Sequence, residues 1–134
     1  MPNETKKVTP VLFVDAIEPC VPFWVERFGW TKTAEVPGKA GINFAIFAKD
    51  GVELMYQTWE SAQEDVGSVR SPGGTSVGLF IEVSDLDAAE KQIRGLDIAL
   101  PRRRTFYGMD EIGVREPGGH LVIFAQPAPV EHAG

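Results

Sequence analysis

The sequence predicts an α+β protein: two βαβββ units whose strands make a curved, cup-like mixed sheet with helices on its outer face. Three observations predict it. The order strand, helix, strand, strand, strand reads twice along the chain. The two stretches concerned, residues 8–59 and 75–126, are equal in length. Each ends in two apolar runs joined by a glycine-containing turn, Lys49-Asp50-Gly51 in the first and Glu116-Pro117-Gly118-Gly119 in the second.

Residues 8–17 are rich in β-branched and aromatic side chains and read as a strand. Pro10 lacks an N–H, so this strand lies at an edge or starts late. From Glu18 to Gly29, the residues Val21, Trp24, Val25 and Phe28 fall at helical spacing. Pro19 and Pro22 fit only a first turn, and Gly29 fits the stop. Residues 30–36 read as a short strand, and 42–48 with 52–59 as a hairpin. A two- or a three-residue turn at Lys49-Asp50-Gly51 leaves the facing of residues 42–48 open. Residues 60–74 are polar, end in Pro-Gly-Gly and read as a connector. In the second unit, residues 77–83 are a strand. Ser84 caps a helix with the stripe Leu86, Ala89, Ile93 and Leu96, which Gly95 stops. Residues 97–104 hold a strand, and 109–115 with 120–126 a hairpin. The tail after Pro127 reads as frayed.

A chain of 134 residues is one domain by length and can bury a substantial core. Its net charge of -6 shows no basic footprint, so nucleic acid is not an expected partner. No apolar run approaches a membrane span, and the first residues show no signal-peptide core. Cys20 is the one cysteine, which excludes an intramolecular disulfide and suits a reducing, cytoplasmic setting. We read Cys20 as a small buried residue.

The segments VLFVDAIEPCVPFWVERFGW, DGVELMYQTWES, LFIEVSDLDAAE and TFYGMDEIGVREPGGHLVIFAQ resemble the vicinal oxygen chelate superfamily. That group holds glyoxalase I, extradiol dioxygenases, fosfomycin resistance enzymes and bleomycin resistance proteins. The resemblance runs over residues 8–126 and implies one such domain over residues 1–134, with 8–59 and 75–126 as its internal repeats. It implies metal ligands at four strand positions, which fall here on Thr9, Glu53, Gly78 and Ile123. Glu53 matches; the other three lack a good donor. His120 and His132 are the two histidines, one beside a turn and one in the tail. No metal or other cofactor is therefore expected. The resemblance also implies a homodimer, and among its members the metal-free bleomycin resistance type is the nearest.

Strand alternation places Met55 and Gln57 beside Glu53 on the concave face, with Leu54 and Tyr56 turned away. By the same rule Gly78, Phe80 and Glu82 share that face with Leu121, Ile123 and Ala125. Glu53 either orients a cationic or hydroxyl-bearing ligand or is a structural carboxylate held by a neighbour. Tyr107 offers a phenol at the pocket mouth, and Glu111 can pair with one of Arg102, Arg103 and Arg104. The arginine run itself reads as a solvated sheet edge. The expected ligand-binding set is thus Glu53, Met55, Gln57, Phe80, Glu82, Tyr107, Glu111 and Ile123. Trp24 and Phe28 read as core, while Trp30 and Trp59 fit either role. The function expected is binding of a small organic molecule in an apolar, acidic cup. The alternative is a metal-dependent or carboxylate-based lyase, isomerase or dioxygenase, with Glu53 as the candidate catalytic group. A third reading is an interaction domain with no ligand.

Overall fold

The computed structural model describes residues 6–66 and 76–129. The chain divides into two compact units, Met1–Thr75 and Ser76–Gly134. Each holds a four-stranded mixed sheet, and the strand order of the first repeats in the second.

In the first unit β1 (Val11–Val14) leads through α1 (Cys20–Pro22) and a π-helical turn (Phe23–Arg27) to β2 (Thr31–Gly38), β3 (Gly41–Lys49) and β4 (Val52–Thr58). The sheet order is β1-β4-β3-β2. β1 both starts after Pro10 and lies at an edge, parallel to β4, with the Pro10 carbonyl accepting from the Met55 amide. Asp50 and Gly51 both have positive φ (50° and 82°), which makes the β3–β4 connection a two-residue turn of the mirror-image type that suits twisted hairpins. Lys49 therefore pairs with Val52, and the facing of β3 is settled: Ala48, Ile46 and Phe44 lie opposite Glu53, Met55 and Gln57.

The helical stripe differs from the expected one. Cys20, Phe23, Trp24 and Phe28 are buried, whereas Val21 and Val25 are only half-buried. Pro22 contributes no N–H, and the wide turn that follows carries one more residue than an α-turn, which brings Phe23 inward. Phe23, Trp24, Phe28 and Trp30 then stack edge to face, with centroids 4.9–5.0 Å apart for Phe23–Trp24, Phe23–Phe28 and Trp24–Trp30. Trp30 is thus core. This cluster covers the sheet face formed by Leu12, Val14, Ala45, Phe47, Leu54 and Tyr56, all buried. Trp24 Nε1 donates to the Tyr56 hydroxyl at 2.9 Å, which satisfies both polar tips inside the core.

A further helix, α2 (Trp59–Val66), stands where a connector is expected. Thr58 starts it: its Oγ1 accepts from the Ser61 amide at 3.1 Å. The remainder of that connector, residues 67–74, lies outside the described residues.

In the second unit β5 (Gly78–Glu82), α3 (Leu86–Gln92), β6 (Ile98–Arg104), β7 (Met109–Arg115) and β8 (Leu121–Pro127) give the order β5-β8-β7-β6. The cap of α3 is Asp85, not Ser84: Asp85 is extended and its Oδ1 accepts from the Ala88 amide. Leu86, Ala89 and Ile93 are buried as the stripe requires, with Leu96 half-buried. They share the helix side with Ile112, Val114, Val122 and Phe124. β6 is an edge strand, as its arginine run suggests.

Candidate functional site

In each unit the sheet face away from the buried core is the one that carries the expected site residues. In the first unit the register aligns Phe13, Gln57, Phe44 and Val36 in one row. The next row holds Val11, Met55, Ile46 and Ala34, and Glu53 lies opposite Ala48 beyond it. Most of these side chains are half-buried, so the face is apolar without being sealed. Glu53, Met55 and Gln57 share it, with Leu54 and Tyr56 on the other side, as alternation predicts.

Helix α2 extends this face. Trp59 stacks on Phe13 with centroids 4.9 Å apart and planes 29° from parallel. Gln57 Nε2 donates to Ser61 Oγ at 3.2 Å. Phe44, Gln57, Ser61 and Glu64 line an open groove of about 470 Å³. Sequence reasoning left Trp59 undecided and omitted Phe13, Phe44, Ile46 and Ser61. Residues 11–14 are apolar throughout, so alternation offers no contrast there. Phe44 and Ile46 were hidden by the unsettled turn. Thr58, three residues before Ser61, was the available signal for α2.

Glu53 is not the isolated carboxylate of an apolar cup. Its Oε1 accepts a charge-assisted hydrogen bond from Lys7 Nζ, and its side chain keeps 28% exposure. The pair is open to water on the lysine side.

The second unit has a different polar group. Gly78, Phe80 and Glu82 lie opposite Leu121, Ile123 and Ala125 on its open face, as expected. Glu111 faces Ala125 on one side and Arg103 on the other. Its carboxylate is 1% exposed. Arg103 donates to Glu111 Oε1 through Nε at 2.9 Å and Nη2 at 2.7 Å. Tyr107 donates its hydroxyl to Oε2 at 2.9 Å. The hydrogen bond to Glu111 holds the Arg103 guanidinium above its ordinary value. The anticipated arginine partner of Glu111 is therefore Arg103. Arg102 bonds Asp87 and Glu90 of α3, which also raises it. Arg104 holds Asp110 below the usual carboxylate range.

These residues do not fit a metal centre. Of the four strand positions, Thr9, Gly78 and Ile123 offer no anionic or imidazole donor, and Glu53 is bonded to Lys7. His120 is buried, and its Nδ1 accepts from the Val77 amide at 2.9 Å. Among the described residues no three His, Cys, Asp or Glu side chains converge.

No protein-family model matches the chain, and no curated protein matches it. Solved structures do. One is a glyoxalase/bleomycin resistance protein/dioxygenase from Nocardioides: TM-score 0.76, 21% identity, covering 99% of this chain and 91% of that one. A lactoylglutathione lyase from Agrobacterium tumefaciens gives 0.72 at 16% identity, covering 92% of this chain and 95% of its own. TnmS3, an antibiotic binding protein from Streptomyces sp. CB03234, gives 0.66 at 21% identity, covering 94% and 100%. These proteins differ in what they are described as doing, so the likeness is one of fold.

Proposed function

We propose that this chain, which has the fold of the vicinal oxygen chelate superfamily, binds a small aromatic molecule on its open sheet faces without a metal. The observation that carries the reading is the first unit's face. It presents Phe13 stacked on Trp59, with Phe44, Ile46 and Met55 beside them, all half-buried, and few polar groups, Gln57 and Glu53 among them. Apolar walls with a few placed polar groups are the usual composition of small-molecule sites. An aromatic ligand gains the burial these side chains lack, and Glu53 favours a cationic or hydrogen-bond-donating end over an anionic one.

The donor set argues for the metal-free form of this reading. The fold is also that of an antibiotic binding protein, TnmS3, which supports binding as a use to which it can be put. We place the protein in a reducing compartment such as the cytoplasm, which suits the buried Cys20 thiol, in no disulfide; no helix among the described residues is long and apolar enough to cross a membrane. We further propose a homodimer, since exposed Val11 and Val36 lie on the edge strands β1 and β2.

A thermal-shift screen of planar aromatic amines, with the protein treated with a chelator beforehand, tests the reading. Stabilisation that survives chelation supports it. A screen in which no aromatic compound raises the melting temperature, or one in which every effect needs added metal, refutes it.

A further inference from the structure

We propose that Arg103, braced by the buried Glu111 and flanked by Tyr107, is a polar anchor on the second unit for an oxygen acceptor, a carboxylate or phenolate, carried by an aromatic ligand. The proposal rests on the reading that the open faces bind aromatic molecules, and it assigns the second unit the opposite preference from Glu53.

Glu111 is a charged group placed where almost no water reaches it. Burial of a carboxylate is costly unless its oxygens are satisfied, and here both are: one by Arg103, the other by Tyr107. That arrangement fixes two exposed side chains. Arg103 keeps 54% exposure although its Nε and Nη2 are tied down, and Tyr107 keeps 51%. Nε and Nη2 of Arg103 both meet Glu111 Oε1, and the Tyr107 hydroxyl adds a further hydrogen bond to its guanidinium, so the three side chains form one connected group. Its two neighbours in the run are each engaged by acids, Arg102 by Asp87 and Glu90, Arg104 by Asp110. Arg103 is the member whose acid is buried behind it, and its side chain stays more than half exposed to solvent.

The surroundings suit an aromatic acid. Phe80, 53% exposed, lies on the opposite edge strand β5, three strands across from Arg103, so the aromatic surface near Arg103 is the β6–β7 tip. Phe106, fully exposed, packs edge to face against Tyr107 at 5.1 Å on the hairpin tip. A planar guanidinium held rigid loses little freedom on meeting a carboxylate, and its fork geometry selects oxygens over a point charge. Glu111 is the positioning residue, acting through Arg103.

The test uses two probes of one shape and opposite charge, 1-naphthoate and 1-naphthylmethylammonium, followed by amide chemical shifts. Naphthoate is expected to move the amides of Arg103, Phe106 and Tyr107. Arg103→Gln should weaken it about tenfold without weakening the ammonium probe. Arg103→Lys should fail to restore naphthoate binding, because it returns the charge without the fork. For the brace, Glu111→Gln should speed solvent exchange of the Arg103 Nε–H in a protein that still melts cooperatively. Naphthoate binding to Arg103→Gln with wild-type affinity overturns the anchor and leaves aromatic binding intact. Neither probe moving any open-face amide overturns both.

Discussion

Asp110 and Glu111 are adjacent carboxylates that alternate sides of β7, and different arginines hold them. Asp110 is partly exposed, and its bond to Arg104 keeps it below the usual carboxylate range. A carboxyl group depressed in the folded chain adds stability above its unfolded value, about 4, and loses it as pH falls through the lower folded value. Asp110→Asn should therefore melt below the wild type at neutral pH, and the gap should close as pH falls below about 4. Melting curves across that range check it; a gap that is constant with pH refutes it. Glu53 gives a second expectation. Its pair with Lys7 is largely exposed, so Glu53→Gln should change stability by less than about 1 kcal/mol. The same substitution should weaken an aromatic amine about tenfold. Lys7→Met, which frees the carboxylate, should strengthen the amine. Calorimetry with both variants reads these directions, and a Glu53→Gln protein that melts several degrees lower yet binds unchanged makes Glu53 structural.

Elements show why some of this was legible in the chain and some was not. In β4, Glu53 and Gln57 alternate with Leu54 and Tyr56, and that contrast alone assigns the faces. Pairing of Glu111 with an arginine was readable because the two strands of one hairpin bring them level. Lys7 was not readable as the partner of Glu53, since it precedes every element and nothing in its spacing points to β4. The π turn was hidden because a period of 3.6 is assumed when a stripe is sought, and Pro22 breaks that period. Helix α2 was hidden because only Trp59 and Ala62 of its described side chains supply a strongly apolar face. Its start depends on Thr58, whose oxygen satisfies the Ser61 amide. Thr58→Ala should cost about 1 kcal/mol and loosen α2. Amides of residues 60–63 should then exchange faster, and the Trp59 ring should leave Phe13, seen as a change in tryptophan emission. Unchanged exchange in α2 would show that the cap is dispensable.

At the scale of the molecule, the two units are two copies of one topology with different polar groups: a lysine-paired glutamate in one, an arginine braced by a glutamate in the other. Exposed apolar edges lead us to expect a homodimer, and sedimentation at tens of micromolar, a range in which tight dimers persist, should show it. A species of 14.7 kDa there would count against it. The parallel pairings carry a kinetic consequence. Val11 meets Met55, 44 residues along the chain, and Gly78 meets Leu121, 43 along, whereas the two hairpins close locally. Closing a loop ten times longer than a hairpin costs roughly 2 kcal/mol more in chain entropy. The hairpins should therefore form first, and β1 and β5 should dock last and detach first. Native-state hydrogen exchange should find the amides of β1 and β5 opening below the global unfolding free energy, with β3–β4 and β7–β8 opening at it. A strand that detaches before the rest unfolds can also be captured by the vacant edge of another molecule. Two copies exchanging β1 or β5 would recover every native hydrogen bond, so prolonged storage at high concentration should build up an interlocked form that dilution separates only slowly.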